Sequence, residues 1–301
     1  VTKSAYLFPI ATVIAWAGNG IVSKISVDMI APGSIAFYRW LIAASLLAPF
    51  VLPTLWRQRA LVKKHFFKLS ILGGLGMVVL QTLTYVAAQT TSATHIALIG
   101  SVVPMMTMLW SLFLLRETPT QGMLVGSLMS FLGLAVLLTN GHPLALFDTV
   151  LKQGDLLLLI GALSYGLYGV LIKRWNLPFS TWPSLFLQMA MGALWLLPVF
   201  LTEADKTIST EALPLVLFAA LIASLFATFS WLRGIELLGA SKCTAFLNLN
   251  PVIGTLLAVL LLGEHLSLAQ VLGGGLTLIG VYVAQKLKAP IRTKHTPAEI
   301  G

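Results

Sequence analysis

Two stretches of this 301-residue chain, Ala93 to Gly133 and Ala240 to Gly280, are versions of one another. Shifted by 147 residues they match at Ala93 and Ala240, Pro104 and Pro251, Glu117 and Glu264, Gly126 and Gly273, and Gly133 and Gly280. Each reads as an apolar helix with a proline near its middle, a short acidic turn, and a glycine-rich apolar helix. Duplication on this scale dictates architecture, because one hydrophobic unit must be accommodated twice. A shift of 149 carries the repeat back to the earlier segments, laying Trp16 on Tyr165, Asn19 on Tyr168, Gly20 on Gly169 and Lys24 on Lys173. It also lays Phe37 on Phe186, Arg39 on Gln188 and Pro49 on Pro198.

The solvent for most of this surface must be lipid. Only 10% of residues are charged and 57% are hydrophobic, where a soluble domain carries about 25% charged residues. Apolar runs bounded by charge, proline and glycine predict ten spans, at 5–25, 33–54, 69–89, 94–115, 121–139, 154–173, 181–201, 213–233, 243–262 and 269–287. The first is too long for a signal-peptide core and has no cleavage pattern after it, so it is read as a membrane helix. Five spans are followed by five related ones. Because five is odd, the second set enters the membrane from the opposite side. The expected fold is therefore an all-α membrane protein of ten transmembrane helices in two inverted five-helix repeats, 1–145 and 146–289, with a disordered tail at 290–301.

Charge orients the bundle. With the N-terminus cytoplasmic, that side holds fifteen lysines and arginines, including Arg57, Arg59, Lys63, Lys64 and Lys68, against three outside, Lys24, Lys152 and Lys206. Both termini are expected in the cytoplasm. Asp148, Asp155, Glu203, Asp205 and Glu211 fall outside. The net charge of +9 has no basic stripe with interleaved aromatics, which excludes nucleic acid as partner. Cys243 is alone, so no disulfide forms within the chain. The five histidines lack metal-ligand spacing, and no phosphate loop or nucleophile elbow is present. No cofactor, metal or enzymatic chemistry is expected.

Polar side chains inside hydrocarbon need a reason. Arg39 is the most costly, with no acid within helical reach; it either snorkels outward or caps a neighbour, or it offers a guanidinium fork to a carboxylate. Trp16 and Asn19 share one helical face, and Tyr165 and Tyr168 occupy the matching face in the second copy. Tyr38, Gln81, Tyr85, Gln188 and Trp231 also fall within spans. Symmetry-related aromatics fit the lining of a central cavity, although a lone buried tyrosine more often serves helix packing. Pro104 and Pro251 break their helices and free the carbonyls of Gly100 and Leu247. Ser101 matches Asn248, and Asn250 adds an amide beside the second break. Glu117 and Glu264 close their helices at the interface, read as termination or contact with a neighbouring span. No Asp or Glu lies near a span's middle, which favours neutral, zwitterionic or anionic ligands. The glycine clusters Gly122, Gly126 and Gly273, Gly274, Gly275 permit close helix approach, within the chain or in a dimer.

Taken together, Trp16–Lys24 (WAGNGIVSK), Pro32–Arg39 (PGSIAFYR) and the doubled proline–glutamate segments resemble the drug/metabolite transporter superfamily, in particular ten-helix exporters built from two EamA domains. The resemblance covers the chain to about Leu287. It implies an inverted-repeat transporter of the bacterial inner membrane that moves amino acids or related small metabolites, typically outward. A monomer or homodimer is expected. The family's tryptophan and arginine fall on Trp16 and Arg39; Tyr165 and Gln188 depart from them in the second copy. Alternatives are a multidrug or quaternary-ammonium carrier, for which an aromatic cage would serve, and a ligand sensor or scaffold that transports nothing.

Overall fold

Hydrocarbon offers a backbone amide no partner except another backbone group, so apolar segments of this length close their hydrogen bonds within themselves as helices. The computed structural model describes residues 3–26, 29–88, 90, 93–146, 153–262 and 265–287, which form helices and turns without a strand. In order these are α1 (Leu7–Ile25), α2 (Pro32–Arg57), α3 (Arg59–Gly73), α4 (Leu80–Ala88), α5 (Ala93–Gly100), α6 (Val103–Leu115) and α7 (Gln121–Leu138). The second copy supplies α8 (Gln153–Trp175), α9 (Thr181–Thr202), α10 (Leu213–Leu217), α11 (Ala227–Leu238), α12 (Ala240–Thr244), α13 (Leu249–Leu262) and α14 (Leu268–Lys286). Wider π-helical turns join α3 to α4, at Gly74–Val79, and α10 to α11, at Phe218–Phe226.

Among the described residues nine helical stretches are long and apolar enough to cross a membrane. The remaining expected span, 243–262, is helical from Ala240 to Leu262 but in three pieces, the middle one a 3₁₀ turn at Ala245–Asn248. Helix α3 begins ten residues before the predicted 69, at Arg59, because lysine and arginine are good helix formers and their charge sets membrane depth, not helix ends. Pro49 and Pro53 lie inside α2 without ending it. Large apolar side chains point outward all around the bundle: Phe50 is 79% exposed, Leu260 77% and Phe113 66%. Such a surface is stable only against lipid. Asp155, expected on the outer side, is fully buried in the first turn of α8.

Of the glycine clusters, Gly122, Gly126 and Gly273 are used within the chain. Helices α7 and α14 touch along their length. A methyl group on Gly280 would sit 2.6 Å from the carbonyl oxygen of Gly126, and one on Gly273 would sit 2.6 Å from that of Gly133. Between these contacts the Ser130 hydroxyl donates to the Thr277 carbonyl at 3.2 Å, and the Thr277 hydroxyl leans back towards the Ser130 carbonyl at 3.4 Å. Residue numbers rise on one helix as they fall on the other, so the two run antiparallel. Each contact is also the counterpart of another under the 147-residue shift. Their starts match as well: Thr120 and Ser267 cap them with the same φ of −78° and ψ of 157°, each side chain accepting a backbone N–H three residues on. Cross-packing elsewhere follows the same exchange: α1 lies against the π turn and α11, and α8 lies against the other π turn and α4.

This close approach makes a testable demand. Gly126→Leu, forced into the Gly280 backbone, should destabilise the purified protein by about 2 kcal/mol or more, read as a lower melting temperature. Gly275→Ala, with nothing within 4 Å of the added carbon, should leave it unchanged.

Candidate functional site

Both proline-bearing segments break. Helix α5 stops at Gly100, Ser101 and Val102 form a tight turn, and α6 restarts with Pro104 in its first turn. The Ser101 amide reaches back to the carbonyls of Ala97 and Leu98 at 3.2 and 3.1 Å, and its hydroxyl donates to the Leu98 carbonyl at 2.6 Å. In the second copy the 3₁₀ turn ends at Asn248, and Pro251 lies in the opening turn of α13. A proline nitrogen cannot donate, so the carbonyl four residues before it loses its helical partner. Gly100, Ser101, Leu247, Asn250 and Pro251 all line one cavity of about 880 Å³.

The cavity's walls come from both copies: Trp16, Asn19 and Arg39 from α1 and α2, Gln81 and Thr84 from α4, Tyr165 and Tyr168 from α8, and Thr228 from α11. It reaches Ile25, the last residue of α1, together with Thr84 midway along α4 and Ile96 in the first half of α5. It therefore extends towards the face opposite the one where α1 begins. Its inner end is aromatic. Ring centroids of Trp16 and Trp231 lie 5.4 Å apart, Trp16 and Tyr165 6.3 Å, and Tyr165 and Tyr168 5.5 Å.

The π turn at 218–226 holds the two residues that matter most. The Trp16 indole N–H donates to the Ala223 carbonyl at 3.0 Å, and Arg39 Nε donates to the Ser224 hydroxyl at 2.7 Å. A π turn exposes backbone acceptors sideways that an α-helix would keep for itself. Arg39 is only 4% exposed, and its guanidinium carbon lies 4.9 Å from the Trp40 ring centroid. It does not snorkel to the lipid headgroups, because Ser224 and the Trp40 face receive it inside the bundle. A cation so placed is a candidate for recognising a carboxylate.

The other predicted residues divide. Gln188, the counterpart of Arg39, does not line the cavity; it accepts the Tyr168 hydroxyl at 2.8 Å and donates to Ser184 at 3.1 Å, holding Tyr168 from behind. Trp231, fully buried, backs Trp16 and Tyr165. Asn248 is buried behind the wall. Tyr38 lies elsewhere: its hydroxyl donates to the Lys206 carbonyl at 2.7 Å and its ring packs on Phe200, tying α2 to the 203–207 loop. In that loop the amide and hydroxyl of Thr207 hold the Asp205 carboxyl below its usual range. The side chain of Tyr85, and Glu264 altogether, lie outside the described residues. Among the described residues Gln81 Oε1, Asn250 Oδ1, Thr228 Oγ1 and Trp40 Nε1 are buried without a hydrogen-bond partner. All four belong to side chains lining the cavity. Buried polar atoms of this kind are costly unless something pairs with them. Trp40, Thr228 and Ser224 were not anticipated from sequence; the only hint for Ser224 is the run of small residues at Ala219, Ala220 and Ala223.

The end nearer the N-terminus is closed. Trp231 and Cys243 are fully buried there, the Ser111 and Ser241 hydroxyls meet at 3.0 Å, and Lys173 pairs with Glu117. Beyond them lies a smaller cavity of about 440 Å³ beside Arg116, Lys173 and Lys242. Glu117 thus contacts a neighbouring span, as its position suggested.

A multi-pass helical bundle whose broken helices, drawn from two related copies, line one polar and aromatic cavity is the architecture of a membrane transporter. The chain belongs to the EamA-like transporter family, which matches residues 3–139 and 152–285; its members are transporters and not enzymes. It is similar to the uncharacterized transporter YyaM of Bacillus subtilis (strain 168), 27% identical over 268 residues and 87% of each chain. An uncharacterized transporter of Archaeoglobus fulgidus is 25% identical over 289 residues, covering 94% of this chain and 98% of that one. The uncharacterized inner membrane transporter YicL of Salmonella typhimurium (strain LT2) is 24% identical over 287 residues, with 93% and 94% covered. A crystal structure 20% identical in sequence superposes with a TM-score of 0.76, covering 96% of this chain and 98% of that one, and so shares the fold.

Tyr168→Phe tests the buried network. Removing the hydroxyl strands the Gln188 amide oxygen, and the protein should lose about 1–3 kcal/mol of stability, measured by thermal unfolding in detergent. Glu117→Gln, by contrast, breaks a pair whose side chains are 40% and 48% exposed and should cost less than about 1 kcal/mol.

Proposed function

We propose that this chain is a secondary transporter that exports small polar metabolites, in particular amino acids including aromatic ones. It works by alternating access of two inverted five-helix halves, 1–145 and 146–289, in the inner membrane with both termini cytoplasmic. The observation that carries the reading is the chemistry of the cavity. A buried arginine and an aromatic floor are joined there by amide and hydroxyl groups awaiting partners, and among the described residues no carboxylate lines it. Arg39 attracts a substrate carboxylate; Trp16, Tyr165 and Tyr168 supply stacking faces; Gln81 and Asn250 accept from an ammonium or other N–H group. Trp231, Gln188 and Asn248 support that wall from behind.

The antiparallel, self-complementary contact of α7 with α14 supports inversion of the halves, since a two-fold axis in the membrane plane produces such a pair. Counting the broken stretch Ala240–Leu262 as a further span beside the nine found among the described residues supports a total of ten. A cavity reaching one face while the opposite end is plugged supports alternating access, here in a state open away from the N-terminal face. The lysine and arginine bias supports the orientation. The positive charge of Arg39 in the wall, with no carboxylate beside it among the described lining residues, weighs against organic cations as cargo.

Proteoliposomes test this directly. Flux of radiolabelled phenylalanine or leucine should fall at least about tenfold in Arg39→Ala, which removes a charge-assisted contact, and strongly in Tyr168→Ala. Wild-type flux in both variants, with both proteins folded, would remove the assignment. Inhibition by choline-like cations and not by amino acids would turn it towards a cation carrier.

A further inference from the structure

The junction of α2 and α3 carries a density of cations with nothing to answer it. Arg57, Arg59, Lys63, Lys64 and Lys68 fall within twelve residues, and between Asp28 and Glu117 the sequence has no acidic residue at all. Among the described residues the ion pairs are Lys173 with Glu117 and Arg233 with Glu236, so none of these five cations has a carboxylate. The segments packed against α3 bring none to this end either: α2 and α9 contain no acid, and the acid of α8, Asp155, sits at that helix's far terminus. Two of the cations lean on aromatic faces instead, Arg59 over Trp56 at 5.7 Å and Lys68 over Trp175 at 5.5 Å.

The same face is strongly apolar. Trp56 is 72% exposed, Phe67 76% and Phe66 50%. On α3 the exposed face runs through Phe66, Arg59, Lys63, Phe67 and Lys64, while Leu69 and Leu72 turn inward. Residues 59 to 64 precede the two phenylalanines, and at about 1.5 Å per residue the cations stand roughly 3–12 Å further along the helix, away from the bilayer centre, than the rings. That is the spacing of a bilayer interface, with aromatic rings at the acyl boundary and positive charge at the phosphates.

We propose that the α2–α3 junction is a binding site for the headgroups of anionic phospholipids, separate from the transport cavity. Exposed aromatics seat the acyl chains, and Arg57, Arg59, Lys63 and Lys64 engage phosphate. Such a site relieves the mutual repulsion of the cations, so the occupied protein is the more stable one. The apolar rings select a lipid over a free anion, because phosphate in solution brings nothing to cover them.

Purified full-length protein in a neutral detergent provides the test. Phosphatidylglycerol added to the micelles should raise the apparent melting temperature by roughly 5 °C, and phosphatidylcholine by much less. High salt should erode the difference. The variant Arg59→Gln/Lys63→Gln/Lys64→Gln should lose the phosphatidylglycerol response. A control with three charges removed elsewhere, Arg116→Gln/Lys242→Gln/Lys286→Gln, should keep it. Should the first triple variant not be recovered folded, Lys63→Gln/Lys64→Gln, with both side chains exposed, replaces it. Equal stabilisation by phosphatidylcholine, equal loss in the control, or a full response to inorganic phosphate would each overturn the proposal.

Discussion

A lipid interior satisfies no hydrogen bond, and the rest of this structure follows from that constraint. Regular helix is the default because it leaves no backbone group unpaired. Every departure from it must therefore be covered by another part of the protein or open onto a cavity. The breaks at Pro104 and Pro251 border the large cavity, and the π turn at 218–226 gives a backbone carbonyl, Ala223, to Trp16 and a side-chain hydroxyl, Ser224, to Arg39. Irregular backbone and polar lining are thus one feature seen from two sides.

The same constraint explains how the helices adhere. Between apolar helices in lipid there is no hydrophobic gain on association, so close van der Waals approach and a few interhelical hydrogen bonds must suffice. At the α7–α14 seam glycine removes the side chain at the points of closest approach, and Ser130 and Thr277 supply the polar link midway. Because those glycines are consumed inside the chain, they are no longer available as a dimer surface.

The two copies share a scaffold but have diverged in chemistry. Arg39 lines the cavity, whereas its counterpart Gln188 is withdrawn behind Tyr168 and accepts its hydroxyl. A doubled fold with an asymmetric lining allows one half to carry most of the recognition of charge. The other half then contributes rings and helix breaks. On the proposed mechanism the halves still exchange roles as the cavity changes sides, since their packing is reciprocal even where their side chains are not.

Much was legible in the sequence. Apolar run length announced the lipid solvent, the 147-residue shift announced the doubled unit, and two prolines announced the breaks, because each depends on chemistry local to the chain. Trp16, Arg39, Gln81, Tyr165, Tyr168 and Asn250 follow from the cost of polar groups in hydrocarbon, and all reach the cavity. Only the tertiary structure separated them from Tyr38, Gln188, Trp231 and Asn248, which are polar or aromatic residues of the same kind but face other parts of the protein. It alone revealed Ser224 and Trp40 as the setting of the arginine. The physical reason is that helical spacing fixes which residues share a face, while the direction of that face is decided by neighbours. An inserted π turn rotates the register in a way that no local spacing records.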